Sequence, residues 1–160
     1  MRKHFLFFVC LLVIASESVA KNRRLITTIG VGDTPAGIAV TPDNRFAYVA
    51  NNDNDGIVGG NTVSVLDLET NTLKQTISDA SFNEPYTVTI NAAGTKAYVT
   101  NSGGSTITII DIATNTVTGT ITGFDGPSGM AIAPNGTIAY VNNYGASGGV
   151  GVVMEQRCAW

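Results

Sequence analysis

Asn51-Asn52-Asp53-Asn54-Asp55-Gly56-Ile57 is the segment whose residue types and spacing come nearest to chemistry. Oxygens at Asn51, Asp53 and Asp55, a turn at Gly56 and the Ile57 carbonyl imitate the first half of a calcium loop. Position twelve is Thr62, where such a loop closes with a bidentate Glu, and the first ligand is a neutral amide. Two carboxylates are few for a hard cation. The loop 52–61, bounded by Asn52 and Asn61, therefore reads first as a hydrophilic hairpin connection, rich in Asn and Asp because both turn well. Calcium is expected to bind there weakly or not at all.

Other chemistry has less to work with. His4 is the only histidine, and it lies in a leader, so beyond it no His-dependent general base or triad can form. A zinc site would need more than the one thiol outside that leader, Cys158. Asp53, Asp55, Asp79, Glu84 and Asp125 supply carboxylates, yet no spacing fixes two of them at a working separation. No catalytic residue, cofactor-binding residue or cofactor is assigned. The reading is non-enzymatic.

Residues 1–20 have the form of a secretory signal peptide. Arg2, Lys3 and His4 open it, Phe5 to Ala15 is an unbroken apolar run of eleven, and Ser18 and Ala20 place small residues where a peptidase cuts. Eleven residues are too few to span a hydrocarbon core, which needs about 20. The protein is expected outside the cytoplasm: secreted, periplasmic or at the cell surface. Removing Arg2, Lys3 and Glu17 from the 9 basic and 12 acidic residues leaves 7 and 11, a net charge near −4. No basic stripe exists to collect phosphates, so nucleic acid is excluded as a partner. No later apolar run is long enough to enter a membrane.

The elements that must position these residues are written as a repeat. Tyr48-Val49-Ala50-Asn51 returns as Tyr98-Val99-Thr100-Asn101 and as Tyr140-Val141-Asn142-Asn143. Each phrase follows a Pro-led apolar segment opening at Pro35, Pro85 or Pro127, spaced by 50 and then 42 residues. The period inside each unit is two, that of short strands. Thr62 to Asp67 and Thr106 to Asp111 read as third strands that end in Asp-x-x-Thr-Asn turns. Leu73 to Ile77 and Val117 to Ile121 read as fourth strands. Four short antiparallel strands per unit of about 42 residues are the signature of a β-propeller blade. The predicted class is all-β. Asn51, Asn101 and Asn143 are expected to bond their own backbone. Tyr48, Tyr98 and Tyr140 are expected to pack between blades with the hydroxyl at a polar edge.

The units resemble the YVTN family of β-propeller repeats. The likeness rests on Gly37, Ala39, Pro42, Asp43, Ala47, Tyr48, Val49, Asn51, Asp67, Thr70 and Asn71. It rests equally on Ala97, Tyr98, Val99, Asn101, Asp111, Thr114 and Asn115, and on Pro127, Gly129, Ala131, Pro134, Gly136, Ala139, Tyr140, Val141 and Asn143. It implies repeats over 21–153, an off-pattern tail over 154–160 and a binding or scaffolding role toward protein or glycan. The alternative it leaves open is a remnant of a propeller enzyme, such as a lactonase or a quinone-dependent dehydrogenase.

Closed propellers use about four to eight blades, whereas the count here is about three. Leu25 to Ile29 reads as a lone fourth strand, the chain supplies two full blades, and the next unit runs to near Val153, with Met154 aligned to Asp67 and Asp111. The reading is a piece of a longer propeller. Its rival is a half-ring that pairs with a second copy, and self-association through open blade edges is expected.

Overall fold

A computed structural model describes residues 8–10, 25–52, 61–145 and 151–155. The fold is all-β in these residues. After two short strands, β1 (Phe8–Cys10) and β2 (Thr28–Gly30), the chain runs through three sheets in sequence. β3 (Pro35–Val40), β4 (Phe46–Asn51), β5 (Thr62–Asp67) and β6 (Thr72–Ser78) form the first antiparallel sheet, in that order. β7 (Pro85–Ile90), β8 (Lys96–Asn101), β9 (Thr106–Asp111) and β10 (Thr116–Thr122) form the second. β11 (Pro127–Ile132), β12 (Ile138–Asn143) and β13 (Gly151–Glu155) form the third. These are the expected blades, here called blades 1, 2 and 3.

Register shows that the units are copies in geometry as well as in sequence. Each first strand pairs its proline with the repeated asparagine, Pro35 with Asn51, Pro85 with Asn101 and Pro127 with Asn143. Each then carries an irregularity before pairing resumes at Ile38–Val49, Val88–Val99 and Met130–Val141. Such a bulge bends a strand and adds local twist. Pairing in blade 3 aligns Ile138 with Glu155, where blades 1 and 2 align Phe46 with Asp67 and Lys96 with Asp111. Glu155, not Met154, therefore stands at the position of the two aspartates, and the strand continues into the segment read as a tail.

A two-sided apolar blade has to be covered on both faces, and stacking does this. Tyr48, Val63 and Val65 of blade 1 meet Val88, Val99 and Ile110 of blade 2 in one buried cluster. Tyr98 and Ile107 of blade 2 meet Val141 of blade 3 and Phe124 of the connection between them in another. Full burial of a Val or Ile side chain contributes roughly 1.5–3 kcal/mol, so these clusters hold the blades together. The first strands lie side by side along the stack, β3 against β7 and β7 against β11. At Gly37 that approach is so close that a Cβ would sit 2.5 Å from the Tyr86 carbonyl oxygen and 2.8 Å from the Thr87 Cα.

Ile29 of β2 covers Ala47, Val49 and Leu66 on the far side of blade 1. That is the place of a preceding blade's outer strand, as the sequence suggested. Its hydrogen-bonded neighbour is β1, through Val9 opposite Ile29, and not a strand of blade 3. The rest of the presumed leader lies outside the described residues.

The turns obey their sequence cues. Asp67 Oδ1 accepts from the N–H groups of Glu69 and Thr70 at 3.0 Å each. Asp111 Oδ1 does the same for Ala113 and Thr114 at 3.0 and 3.2 Å. Asn71 and Asn115 close these turns in the left-handed region, at φ 56° and 55°, which Asn tolerates better than most residues.

Candidate functional site

The repeated asparagines are spent on the scaffold. Asn101 is fully buried; its Nδ2 donates to Thr106 Oγ1 and Thr108 Oγ1 at 3.0 Å each, and its Oδ1 accepts from the Asn83 N–H at 3.2 Å. Asn51 Nδ2 donates in the same way to Thr62 Oγ1 at 2.9 Å and Ser64 Oγ at 3.0 Å. The expectation that they bond backbone is met only by the Asn101 carbonyl; the other partners shown are hydroxyls on the third strand. In blade 3 the residue aligned with Ser64 and Thr108 is Val152, which carries no hydroxyl. The Oδ1 atoms of Asn51 and Asn143 are buried without a hydrogen-bond partner.

The two inner tyrosines pack as expected and the third does not. Tyr48 is 0% and Tyr98 is 4% exposed, while Tyr140 is 52% exposed. No described element stands beyond blade 3 to cover it. Tyr48 sends its hydroxyl across the interface to Asn115 Oδ1 in blade 2. Burial pushes its phenol up to about 12, with the charges of Asp111 and Asp43 adding to the effect.

Among the carboxylates singled out, Asp79 caps its own turn by accepting from the Ser81 N–H at 2.9 Å. Glu84 stands at φ 51° with its N–H donated to Asn61 Oδ1 at 2.6 Å. Asp125 lies over Gly145, to whose N–H it gives its backbone carbonyl at 2.9 Å. Among the described residues no three His, Cys, Asp or Glu side chains gather where they could hold a metal ion. Asp53, Asp55, Gly56, Ile57, Cys158 and His4 lie outside the described residues. Thr62, at the twelfth position of the calcium-like segment, is instead the acceptor for Asn51.

Sequence reading missed the cleft where blades 1 and 2 meet at their turn ends. Its volume is about 430 Å³, and Asp43, Arg45, Phe46, Lys74, Asp111 and Asn115 are among its lining residues. Arg45 Cζ lies 5.3 Å and Lys74 Nζ 4.5 Å from the centroid of the Phe46 ring, within cation–π range. The only ion pair among the described residues is Lys96 Nζ to Asp111 Oδ2 at 2.9 Å. Arg45 and Lys74 thus have no carboxylate within salt-bridge reach there.

The carboxylates of this end are already engaged. The Thr41 hydroxyl, then the Arg45 N–H, hold Asp43 below the ordinary carboxylate range. Lys96, then the Thr114 N–H, do so for Asp111. The cleft is also where the repeat breaks. At the positions of Arg45, Phe46 and Lys74, blade 2 has Thr95, Lys96 and Thr118. A separate hollow of about 150 Å³ between blades 2 and 3 is lined by Ala92, Ala93, Pro134, Asn135 and Gly136.

Four-stranded antiparallel sheets stacked face to face, with their first strands adjacent, define a β-propeller-like protein. Comparison with known proteins agrees. Kuenenia stuttgartiensis hydrazine synthase, a propeller-containing protein, is similar to 83% of this chain with a TM-score of 0.72 and 25% sequence identity. PE-PGRS family protein PE_PGRS18 of Mycobacterium tuberculosis is 47% identical over 59 residues, 37% of this chain. The similar regions make up 37% of the hydrazine synthase chain and 13% of the mycobacterial protein. No family model matches the sequence.

Proposed function

We propose that this is an exported β-propeller repeat protein of the YVTN type, with a binding or scaffolding role and no enzymatic activity of its own. One observation carries the reading. Polar side chains that recur from copy to copy are used inside the scaffold, while the charged and aromatic group that does not recur lines the cleft between blades 1 and 2. Arg45 and Lys74 on the Phe46 ring suit a ligand bearing carboxylates, such as a uronic-acid glycan or an acidic loop of a partner protein.

Calorimetric titration with an oligogalacturonate and with a neutral oligosaccharide of equal length tests this. The acidic probe binds, the neutral one does not, and Arg45→Ala or Lys74→Ala weakens binding about tenfold or more. Equal binding of both probes, or binding indifferent to both substitutions, defeats the assignment of the cleft. Export is tested separately by intact mass, which should show protein outside the cytoplasm beginning after Ala20.

A second reading, the remnant of a propeller enzyme, has the likeness to an enzyme's fold behind it. Turnover of a lactone or of a quinone-coupled alcohol by the purified chain would favour it.

A further inference from the structure

The cleft between blades 1 and 2 is not uniformly basic. Asp43 lines it together with Arg45 and Lys74, and its carboxylate is only half used. The two hydrogen bonds that hold it, from the Thr41 hydroxyl and the Arg45 N–H, both end on Oδ1. They keep the group ionised by holding it below the ordinary carboxylate range. Oδ2 takes neither of them. Asp111, the other carboxylate of the cleft, differs. Lys96 is paired with its Oδ2, and the Ala113 and Thr114 N–H groups occupy its Oδ1.

An acidic ligand therefore meets two cations and one open carboxylate. A run of acidic side chains brings carboxylates alone, which only accept hydrogen bonds, and Asp43 repels them. A uronic acid carries hydroxyl donors on the same ring as its carboxylate, so it can answer both signs of charge in the cleft. We infer that the cleft selects a uronic-acid glycan over an acidic protein segment. Asp43 Oδ2 makes that choice by accepting a sugar hydroxyl, while Arg45 and Lys74 take carboxylates. This rests on the reading of the cleft as a carboxylate site and names its ligand class. Arg45 Cζ and Lys74 Nζ lie 5.3 and 4.5 Å from the centroid of one ring, so they are no further apart than those distances laid end to end. One short oligomer can hold both.

The open carboxylate is particular to this cleft. Where blade 1 has Asp43, blade 2 has Ala93 and blade 3 has Asn135. Asn135 makes the same turn bond, accepting from the Thr137 N–H at 3.1 Å as Asp43 accepts from the Arg45 N–H at 3.1 Å. Asp43→Asn thus keeps the turn and exchanges the open acceptor for a donor.

Calorimetric titration with trigalacturonate and with a capped tri-glutamate peptide, which carry equal numbers of carboxylates, tests the choice. Trigalacturonate should bind the more tightly, and Asp43→Asn should weaken it about three- to tenfold. The same substitution should leave peptide binding unchanged or tighten it, because a like charge is removed. A loss shared by both probes overturns the proposal, since it would report on the turn and not on a hydroxyl. So does a peptide that binds more tightly than the sugar, or sugar binding that Asp43→Asn leaves unmoved. If Arg45→Ala still weakens binding in those cases, the carboxylate site stands without this choice of ligand. Failure of both probes to bind defeats the site itself, and this inference with it.

Discussion

Asn101 shows how one side chain can fix a strand end. It satisfies two hydroxyls and one backbone N–H from a fully buried position, and leaving such partners unpaired costs roughly 1–3 kcal/mol each. Asn101→Ala is therefore expected to lower stability by about 2–4 kcal/mol in urea unfolding. Asn51→Ala should cost less, since the Asn51 carbonyl already lacks a donor. Equal losses would show that the third contact, from the Asn83 N–H, contributes nothing. Tyr48 adds a pH dependence. Its pKa is about 12 in the folded protein and about 10 when free, so its contribution is complete below pH 10 and is lost as pH rises from 10 to 12. Unfolding midpoints should fall over that window, and Tyr48→Phe should flatten the fall. A structural role for these residues was legible because the same letters recur in every copy. The cleft was not, because Arg45 and Lys74 are 29 positions apart in sequence and only the fold of blade 1 brings both onto Phe46.

At the scale of the element, the connection between blades repeats a backbone more faithfully than a sequence. Thr34, Glu84 and Gly126 precede the three prolines at φ 45°, 51° and 58°. Their carbonyls accept from the N–H groups of Asn52, Ser102 and Tyr144 at 2.9, 2.9 and 2.8 Å. An L-residue in that region costs roughly 1–2 kcal/mol, against about 0.5–1 kcal/mol of extra chain entropy for glycine. Thr34→Gly and Glu84→Gly should each raise stability by up to about 1 kcal/mol, and a loss at both would mean that their side chains hold the turn. Gly37→Ala should go the other way, by about 1–3 kcal/mol, because both atoms its Cβ would meet are backbone. Strand order and turn residues could be read from the alternation and from Asp, Asn and Pro. The left-handed residues before the prolines could not, since Thr and Glu advertise no such conformation. The bulges leave no mark in composition either.

For the whole molecule, the central claim is that blades stack and that Tyr48 joins blade 1 to the turn of blade 2. Stacking was implied by strands apolar on both faces. The fate of Tyr140 was not, since burial of a repeated residue depends on a neighbour that the residue itself does not specify. The claim is tested most directly by a double-mutant cycle between Tyr48 and Asn115, using Tyr48→Phe and Asn115→Gly so that packing and turn geometry survive. A contact between blades predicts a coupling of about 0.5–1.5 kcal/mol in equilibrium unfolding. Losses that simply add, to within about 0.3 kcal/mol, would mean that the two blades do not meet there.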